Sequence, residues 1–136
     1  TMPRARVLGL IQACDAFVSL HRAEGVGRGP AEAMALGKPV IVTDYSGNTD
    51  FTRPETAYLV NCHLRALEPE EYPFWEGQHW AEPDVDHAAR RMREVARDPE
   101  TASRTGERAR AYMASHHDPE TVGRRYADRL RAIGVA

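Results

Sequence analysis

Two glutamates and a group of glycines stand close together near the start of the chain. In the stretch EGVGRGPAEAMALGKPVIVTD, the two glutamates are Glu24 and Glu32, and between them lie three glycines and a proline, at Gly25, Gly27, Gly29 and Pro30. A glycine-rich loop that runs into a helix start presents free backbone N–H groups and a partial positive charge, which suit a phosphate group. The two carboxylates beside it accept hydrogen bonds, so they suit a ligand rich in hydroxyl groups.

A sugar nucleotide meets both demands, because it carries phosphates in the middle and hydroxylated rings at either end. The helix start would hold the diphosphate, while one glutamate would bind the ribose and the other the sugar. Structural explanations remain open at this point. If Gly29 is the helix cap, Glu32 is the third helical residue and its carboxylate could bond back to the cap N–H. Glu24 could be an ordinary loop carboxylate.

The elements around this loop have the pattern of a βαβ unit. A short apolar run at 16–20 predicts a strand, Pro30 is well placed to begin a helix that ends at Gly37, and 39–43 predicts a second strand. A helix at 4–13 and a third strand at 57–60 complete the first half. The prediction is an α/β fold, with a Rossmann-like parallel sheet and flanking helices.

The second half of the chain is predicted to be one long loop followed by helices. Residues 61–84 hold both tryptophans without a clean period, which indicates a functional loop or a contact surface. An apolar stripe then predicts a helix from residue 85 onward, and two more helices follow at about 99–115 and 119–132. The last two each begin with the sequence DPET, in which the aspartate is expected to cap the helix and the proline to take its first position.

Composition narrows the class of protein. A chain of 136 residues suits one packed domain, and a net charge of -2 gives no basic patch for nucleic acid. Two cysteines are too few for a disulfide scaffold, so the expected location is the cytoplasm, including the cytoplasmic face of a membrane. The six histidines show no ligand spacing, so no metal site is expected.

The central stretch resembles a known family signature. EGVGRGPAEAMALGKPVIVT, followed by YSGNTDF, is similar to the donor-binding signature of family 4 (group 1) retaining glycosyltransferases of the GT-B fold. That signature is EG-x-G-x-x-x-x-EAMA-x-G-x-PVI, and Glu24 and Glu32 match its two glutamates. The resemblance extends upstream to CDAFVSLHRAEG and downstream to WAEPDVDHAARRMREVARDPE, so it covers nearly the whole chain.

The resemblance implies roles for individual residues. Glu24 would contact hydroxyls of the donor sugar as the catalytic residue, and Glu32 would bind the ribose. Backbone amides of Val26, Gly27 and Arg28 would hold the diphosphate. The implied reaction transfers a sugar from a nucleotide-diphosphate donor to a glycan, lipid or small-molecule acceptor, with retained configuration and without a metal or other cofactor. Such transfer is typical of polysaccharide biosynthesis.

The chain departs from the family pattern in three respects. Val26 and Arg28 occupy positions where bulky apolar residues are usual, and SGNTD at 46–50 replaces a Gly-Gly followed by Glu. A GT-B enzyme also has two Rossmann-like domains, so residues 1–136 are expected to be a partial C-terminal nucleotide-sugar-binding domain without the N-terminal acceptor domain. Such a chain alone is expected to be inactive, and uncovered sheet edges could lead it to self-associate.

Other functions remain open from the sequence. A dinucleotide-binding oxidoreductase could use the three glycines as its phosphate loop and Asp44 for a ribose, but Pro30 stands where G-x-G-x-x-G needs its third glycine. A glycosidase with Glu24 and Glu32 as acid and base is disfavoured by the phosphate-type loop between them. A non-catalytic module could bind sugar nucleotides or another chain through the aromatic segment 61–84.

Overall fold

The computed structural model describes residues 2–135, with a three-stranded parallel sheet at the centre. Its strands lie in chain order: β1 (Phe17–Ser19), β2 (Val40–Thr43) and β3 (Tyr58–Val60). The helices are α1 (Arg4–Ala13), α2 (Arg28–Ala35), α3 (Val85–Arg97), α4 (Pro99–His116) and α5 (Pro119–Ala132). The predicted α/β class, the parallel pairing and all five helices are confirmed.

Helices cover both faces of the sheet. Successive residues of β2 point to opposite faces, so their neighbours identify the helices on each side. All four residues of β2 are buried. Val40 and Val42 belong to an apolar cluster that includes Met34 of α2. Ile41 belongs to a second cluster that includes Ala88 and other residues of α3 and α4. The predicted second strand is confirmed, and it is the central strand of the sheet, buried from both sides.

Helix α2 starts earlier than the sequence predicts. It begins at Arg28, with Gly27 as the N-cap residue, so Pro30 is the third helical residue rather than the first. Proline is tolerated there because the first four N–H groups of a helix have no intrahelical partner to lose. The end of the helix is as predicted: Gly37 has φ of +74°, the left-handed conformation that commonly terminates a helix.

The prediction of an irregular loop over 61–84 is wrong. This segment forms an antiparallel hairpin of β4 (Cys62–Ala66) and β5 (His79–Pro83), in which Leu64 lies opposite Ala81. The hairpin is a separate two-stranded sheet. Its two strands are connected by residues 67–78, which carry several exposed aromatic and acidic side chains.

The capping aspartates of the two DPET sequences are confirmed. The Asp98 carboxylate accepts a hydrogen bond from the N–H of Thr101, 2.9 Å away. The Asp118 carboxylate accepts from the N–H groups of Glu120 and Thr121. Hydrogen bonds from the N–H and side chain of Thr101 lower the pKa of Asp98, and hydrogen bonds from the side chain and N–H of Thr121 lower the pKa of Asp118, because donors at a helix start favour the charged carboxylate.

Strand β1 is an edge of the sheet in the part of the chain that the structure describes. It pairs with β2 alone, and Val18 is 41% exposed. A groove of about 600 Å³ runs beside it and is bordered by Ile41, Met92 and Val95. Self-association through this edge stays a prediction. Among residues 2–135, the helices are all too short or too polar to cross a bilayer, and the cytoplasmic location also stays a prediction.

Candidate functional site

Two loops meet where β1 and β2 end. The carboxyl ends of parallel strands share one edge of a sheet, and ligands of open α/β sheets bind outside that edge. The chain leaving β1 runs through residues 20–27 into α2, and the chain leaving β2 forms a 3₁₀ helix at Ser46–Asp50. The predicted site residues lie on the first of these loops and on the first turns of α2.

The two loops are joined through their backbones. The N–H of Glu24 donates to Ser46 Oγ at 2.9 Å, and the N–H of Gly47 donates to the carbonyl of Glu24 at 3.2 Å. A Cβ on Gly47 would lie 2.2 Å from the carbonyl oxygen of Gly25, so only glycine fits. We call this contact of Glu24 and Gly25 with Ser46 and Gly47 the loop clamp.

A buried asparagine next to the loop clamp makes hydrogen bonds that hold the second loop in place. Asn48 is fully buried, and its Nδ2 donates to the carbonyl of Thr43 at 3.0 Å and to Thr52 Oγ1 at 3.2 Å. Its Oδ1 lies 2.9 Å from Nε2 of His21, which also lies 3.0 Å from the carbonyl of Tyr45. Because both partners are acceptors, this geometry assigns the His21 ring proton to Nε2. His21 therefore ties the first loop to the second.

Two glycines at the start of α2 allow neighbouring residues to approach the helix closely. Gly27 has φ of +82°, and its Cβ position lies 3.2 Å from Cβ of Asn48. The carbonyl of Gly27 accepts the N–H of Ala31 at 3.1 Å. The Cβ position of Gly29 lies 2.9 Å from the Phe17 ring, so α2 packs directly on β1. The N–H groups of Arg28 and Gly29, in the first turn, have no intrahelical partner and point out of the helix start.

Glu32 does not form a capping box. Because α2 begins at Arg28, Glu32 is the fifth helical residue and lies beyond reach of the cap. Its side chain is 18% exposed, and its Oε1 lies 3.3 Å from Arg4 Nη2 and 3.5 Å from Arg28 Nη2. The Arg28 side chain is 78% exposed. The structural explanation of Glu32 by capping is therefore wrong.

A comparison with known protein families gives one match. Residues 1–112 match the family described as glycosyl transferases group 1. This chain belongs to that family. It is a glycosyltransferase domain, and the family implies a nucleotide-sugar donor and an acceptor. A search among curated proteins found no match. The match favours a transferase over an oxidoreductase that would use Asp44, which is exposed after β2.

The glycosyltransferase chain brings its predicted donor-binding residues together on one short segment. Glu24 is half-buried in the loop clamp, while Val26 at the loop tip is 63% exposed. Gly27 and Arg28 follow at the cap and first residue of α2, and Glu32 lies one turn further along. The site is thus an open surface at the carboxyl ends of the parallel strands, with backbone N–H groups between two carboxylates. The role of each residue in binding stays a prediction.

Sequence reasoning missed His21 and Asn48. Both follow the carboxyl end of a parallel strand, but that position alone does not distinguish them from other polar residues in the same loops. Metal binding was not expected, and among residues 2–135 no group of three or more His, Cys, Asp or Glu lies close enough to hold a metal ion. A reaction without a metal stays a prediction.

Proposed function

We propose that this chain is the donor-binding part of a retaining, family 4 glycosyltransferase with the GT-B fold. Residues 1–136 would supply part of its C-terminal domain, and a second domain would supply the remaining wall of the cleft. The observation that carries the proposal is the loop clamp, which fixes Glu24 and the start of α2 at the carboxyl edge of a parallel sheet. This is where open α/β sheets bind nucleotides.

The diphosphate is assigned to the start of α2. The N–H groups of Arg28 and Gly29 are unpaired within the helix, and those of Val26 and Gly27 precede them in the loop. Gly27 adopts a left-handed φ and has no side chain to collide with Asn48, so the backbone can turn into the helix start. Donors fixed in this manner would stabilise the leaving diphosphate as the glycosidic bond breaks, without a metal.

The ribose is assigned to Glu32. Both of its ion pairs use Oε1, so Oε2 is the oxygen we assign to the ribose hydroxyls. Arg4 and Arg28 would orient the carboxylate through these two ion pairs. Arg28 itself would either keep this role or turn toward the diphosphate.

The donor sugar is assigned to Glu24, whose backbone is held on both sides by the second loop. Its carboxylate would accept hydrogen bonds from sugar hydroxyls and orient the anomeric carbon toward the acceptor. Transfer with retention then follows if the acceptor attacks from the face that the diphosphate leaves, through an oxocarbenium-like ion pair.

The replacement Glu32→Gln tests the assignment. It should weaken binding of UDP- or GDP-sugars by about 1 to 3 kcal/mol, because a charged acceptor of the ribose hydroxyls is lost. The melting temperature should stay close to that of the wild type, since both ion pairs involve largely exposed arginines. Calorimetric titration and thermal melts measure the two effects.

Glu107→Gln serves as the matched control, because Glu107 is an exposed glutamate on α4 and should bind donors like the wild type. NAD(H) serves as the negative ligand. Unchanged affinity for every UDP- and GDP-sugar in Glu32→Gln, together with a marked fall in melting temperature, would count against the ribose assignment.

A further inference from the structure

His21 contacts both sides of the donor site through the two nitrogens of its ring. Its Nε2 lies 3.0 Å from the carbonyl oxygen of Tyr45 and 2.9 Å from Oδ1 of Asn48, and both partners belong to the second loop. Since the ring proton is on Nε2, the other nitrogen is an acceptor, and the Ser19 hydroxyl 3.3 Å away donates to it. The imidazole therefore has one orientation, between the end of β1 and the second loop.

The acceptor that Asn48 offers to His21 is also fixed. Nδ2 of Asn48 donates to the carbonyl of Thr43, which can only accept, so the amide oxygen is the atom that faces the imidazole. Asn48 is fully buried, and a second bond from Nδ2 reaches Thr52 Oγ1. Without His21, the amide nitrogen would keep both partners, while the amide oxygen would lose its bond to the imidazole.

Ser46 is the residue through which His21 reaches Glu24. It follows Tyr45 directly and has φ of +68°, a left-handed conformation that is costly for a residue with a side chain. Its Oγ accepts the N–H of Glu24 at 2.9 Å, and its carbonyl accepts the Thr49 hydroxyl at 2.6 Å. Such a conformation persists only where neighbouring contacts hold it. His21 holds the carbonyl that precedes Ser46, and Thr49 holds the carbonyl that follows.

The start of α2 does not depend on His21. Among residues 2–135, the His21 side chain forms hydrogen bonds only with Ser19, Tyr45 and Asn48. The first turn of α2 is placed by a different contact, in which Gly29 lies against the Phe17 ring. Loss of the His21 bonds therefore affects the loop that carries Glu24 more than the N–H groups of the helix start.

We propose that His21 is a positioning residue of the donor site, which holds Ser46 in place and so orients Glu24 toward the donor sugar. The inference rests on the proposed function, because that function makes the sugar the ligand of Glu24. A displacement of about 1 Å is enough to spoil the geometry of a hydrogen bond to a sugar hydroxyl. The diphosphate keeps its own donors at the start of α2, so His21 matters for the sugar and not for the nucleoside diphosphate.

Two amide variants separate the role of Nε2 from that of the rest of the ring. The amide nitrogen of His21→Gln reaches as far as Nε2 and can donate to Tyr45, whereas the shorter amide of His21→Asn ends at the distance of Nδ1. Amide hydrogen exchange, followed by NMR, tests the loop clamp without a ligand. The N–H groups of Glu24 and Gly47 should exchange roughly three- to tenfold faster in His21→Asn, and His21→Gln should restore most of the protection.

Calorimetric titration then compares bare nucleotides with their sugar derivatives: UDP with UDP-glucose and UDP-galactose, and GDP with GDP-mannose. His21→Asn should bind the sugar nucleotide roughly three- to tenfold more weakly, with affinity for the bare nucleotide within about twofold of the wild type. His21→Gln should recover most of the lost affinity. His63→Asn, which replaces an exposed histidine on β4, is the matched control and should bind every ligand like the wild type.

Three outcomes would overturn the role of His21 while leaving the donor site intact. The Glu24 N–H could exchange equally in the wild type and His21→Asn, that variant could lose no affinity or lose it equally for bare and sugar nucleotides, or His21→Gln could be as weak as His21→Asn. A wild-type chain that binds none of these nucleotides would instead defeat the proposed function, and with it the positioning of Glu24.

Discussion

At Gly47, the carbonyl oxygen of Gly25 lies where a side chain would begin. The three atoms nearest to a Cβ at this position all belong to the backbone of Gly25 and Val26, the nearest at 2.2 Å. Backbone atoms cannot rotate away as the end of a side chain can, so Gly47→Ala must separate the two loops. We expect it to lower the free energy of unfolding by about 1 to 3 kcal/mol and to reduce nucleotide-sugar affinity, measured by urea denaturation and calorimetry.

Gly25→Ala is the control for that change, because a Cβ on Gly25 meets no atom within 4 Å. It should leave the free energy of unfolding within about 0.5 kcal/mol of the wild type. Equal stability of the two variants would show that the loops do not touch as the clamp requires.

Single residues were predictable where the chemistry lies within one short segment. Glu24 through Glu32 could be found from the sequence because their spacing is local and a helix places them by its own geometry. His21 and Asn48 could not, since their importance comes from a hydrogen bond between residues 27 positions apart. Each alone resembles an ordinary polar residue after a strand.

At the scale of elements, ionised side chains contribute to holding the hairpin. Glu71 has its pKa lowered from 4.5 to about 2, first by its hydrogen bonds with Arg65. A carboxyl group with a lowered pKa stabilises the folded form fully above its ordinary pKa and loses that contribution as pH falls toward the folded value. The hairpin should therefore loosen between about pH 4.5 and pH 2, which acid titration of tryptophan emission would detect.

Glu71→Gln removes the titrating group and serves as the comparison. The variant should have a less stable hairpin at pH 7 and a smaller change of tryptophan emission across the acid range. Glu120→Gln, which removes an exposed ion pair on α5, should titrate like the wild type. An identical acid profile for Glu71→Gln would show that Arg65 and Glu71 do not hold the hairpin.

The hairpin also marks where element prediction fails. HWAEP lacks the regular alternation of apolar and polar residues that predicts a half-buried strand, and CHLRA alternates over only five residues. An isolated hairpin is marginal in water, and here contacts from Arg22 to Trp80 and Glu82 hold it in place. Those contacts join residues about 60 positions apart, which no local pattern reveals. The long amphipathic helices, by contrast, could be predicted from the spacing of apolar residues within each helix.

At the scale of the whole molecule, α4 approaches the end of α2 closely. A Cβ on Gly106 would lie 2.1 Å from the carbonyl oxygen of Gly37, which is a backbone atom. Gly106→Ala should therefore push α4 off the sheet layer and lower the free energy of unfolding by about 1 to 3 kcal/mol, measured in urea. The apolar cluster that Ala109 and Met34 share would open with it.

Gly123→Ala provides the matched helical control. Gly123 lies inside α5, and a Cβ there meets no atom within 4 Å. Because alanine favours a helix interior over glycine, this change should be neutral or stabilising by about 0.5 to 1 kcal/mol. A Gly106→Ala variant as stable as Gly123→Ala would rule out the tight contact of α4 with Gly37.

The loop clamp has a consequence for how fast a ligand binds. Its hydrogen bonds exist before any donor arrives, so binding needs no prior loop rearrangement. In stopped-flow mixing with UDP-sugars, the observed rate should rise linearly with ligand concentration and reach no plateau. Ser46→Gly keeps the left-handed backbone but removes the hydroxyl that holds Glu24. With one loop released, a slow step independent of ligand concentration should appear.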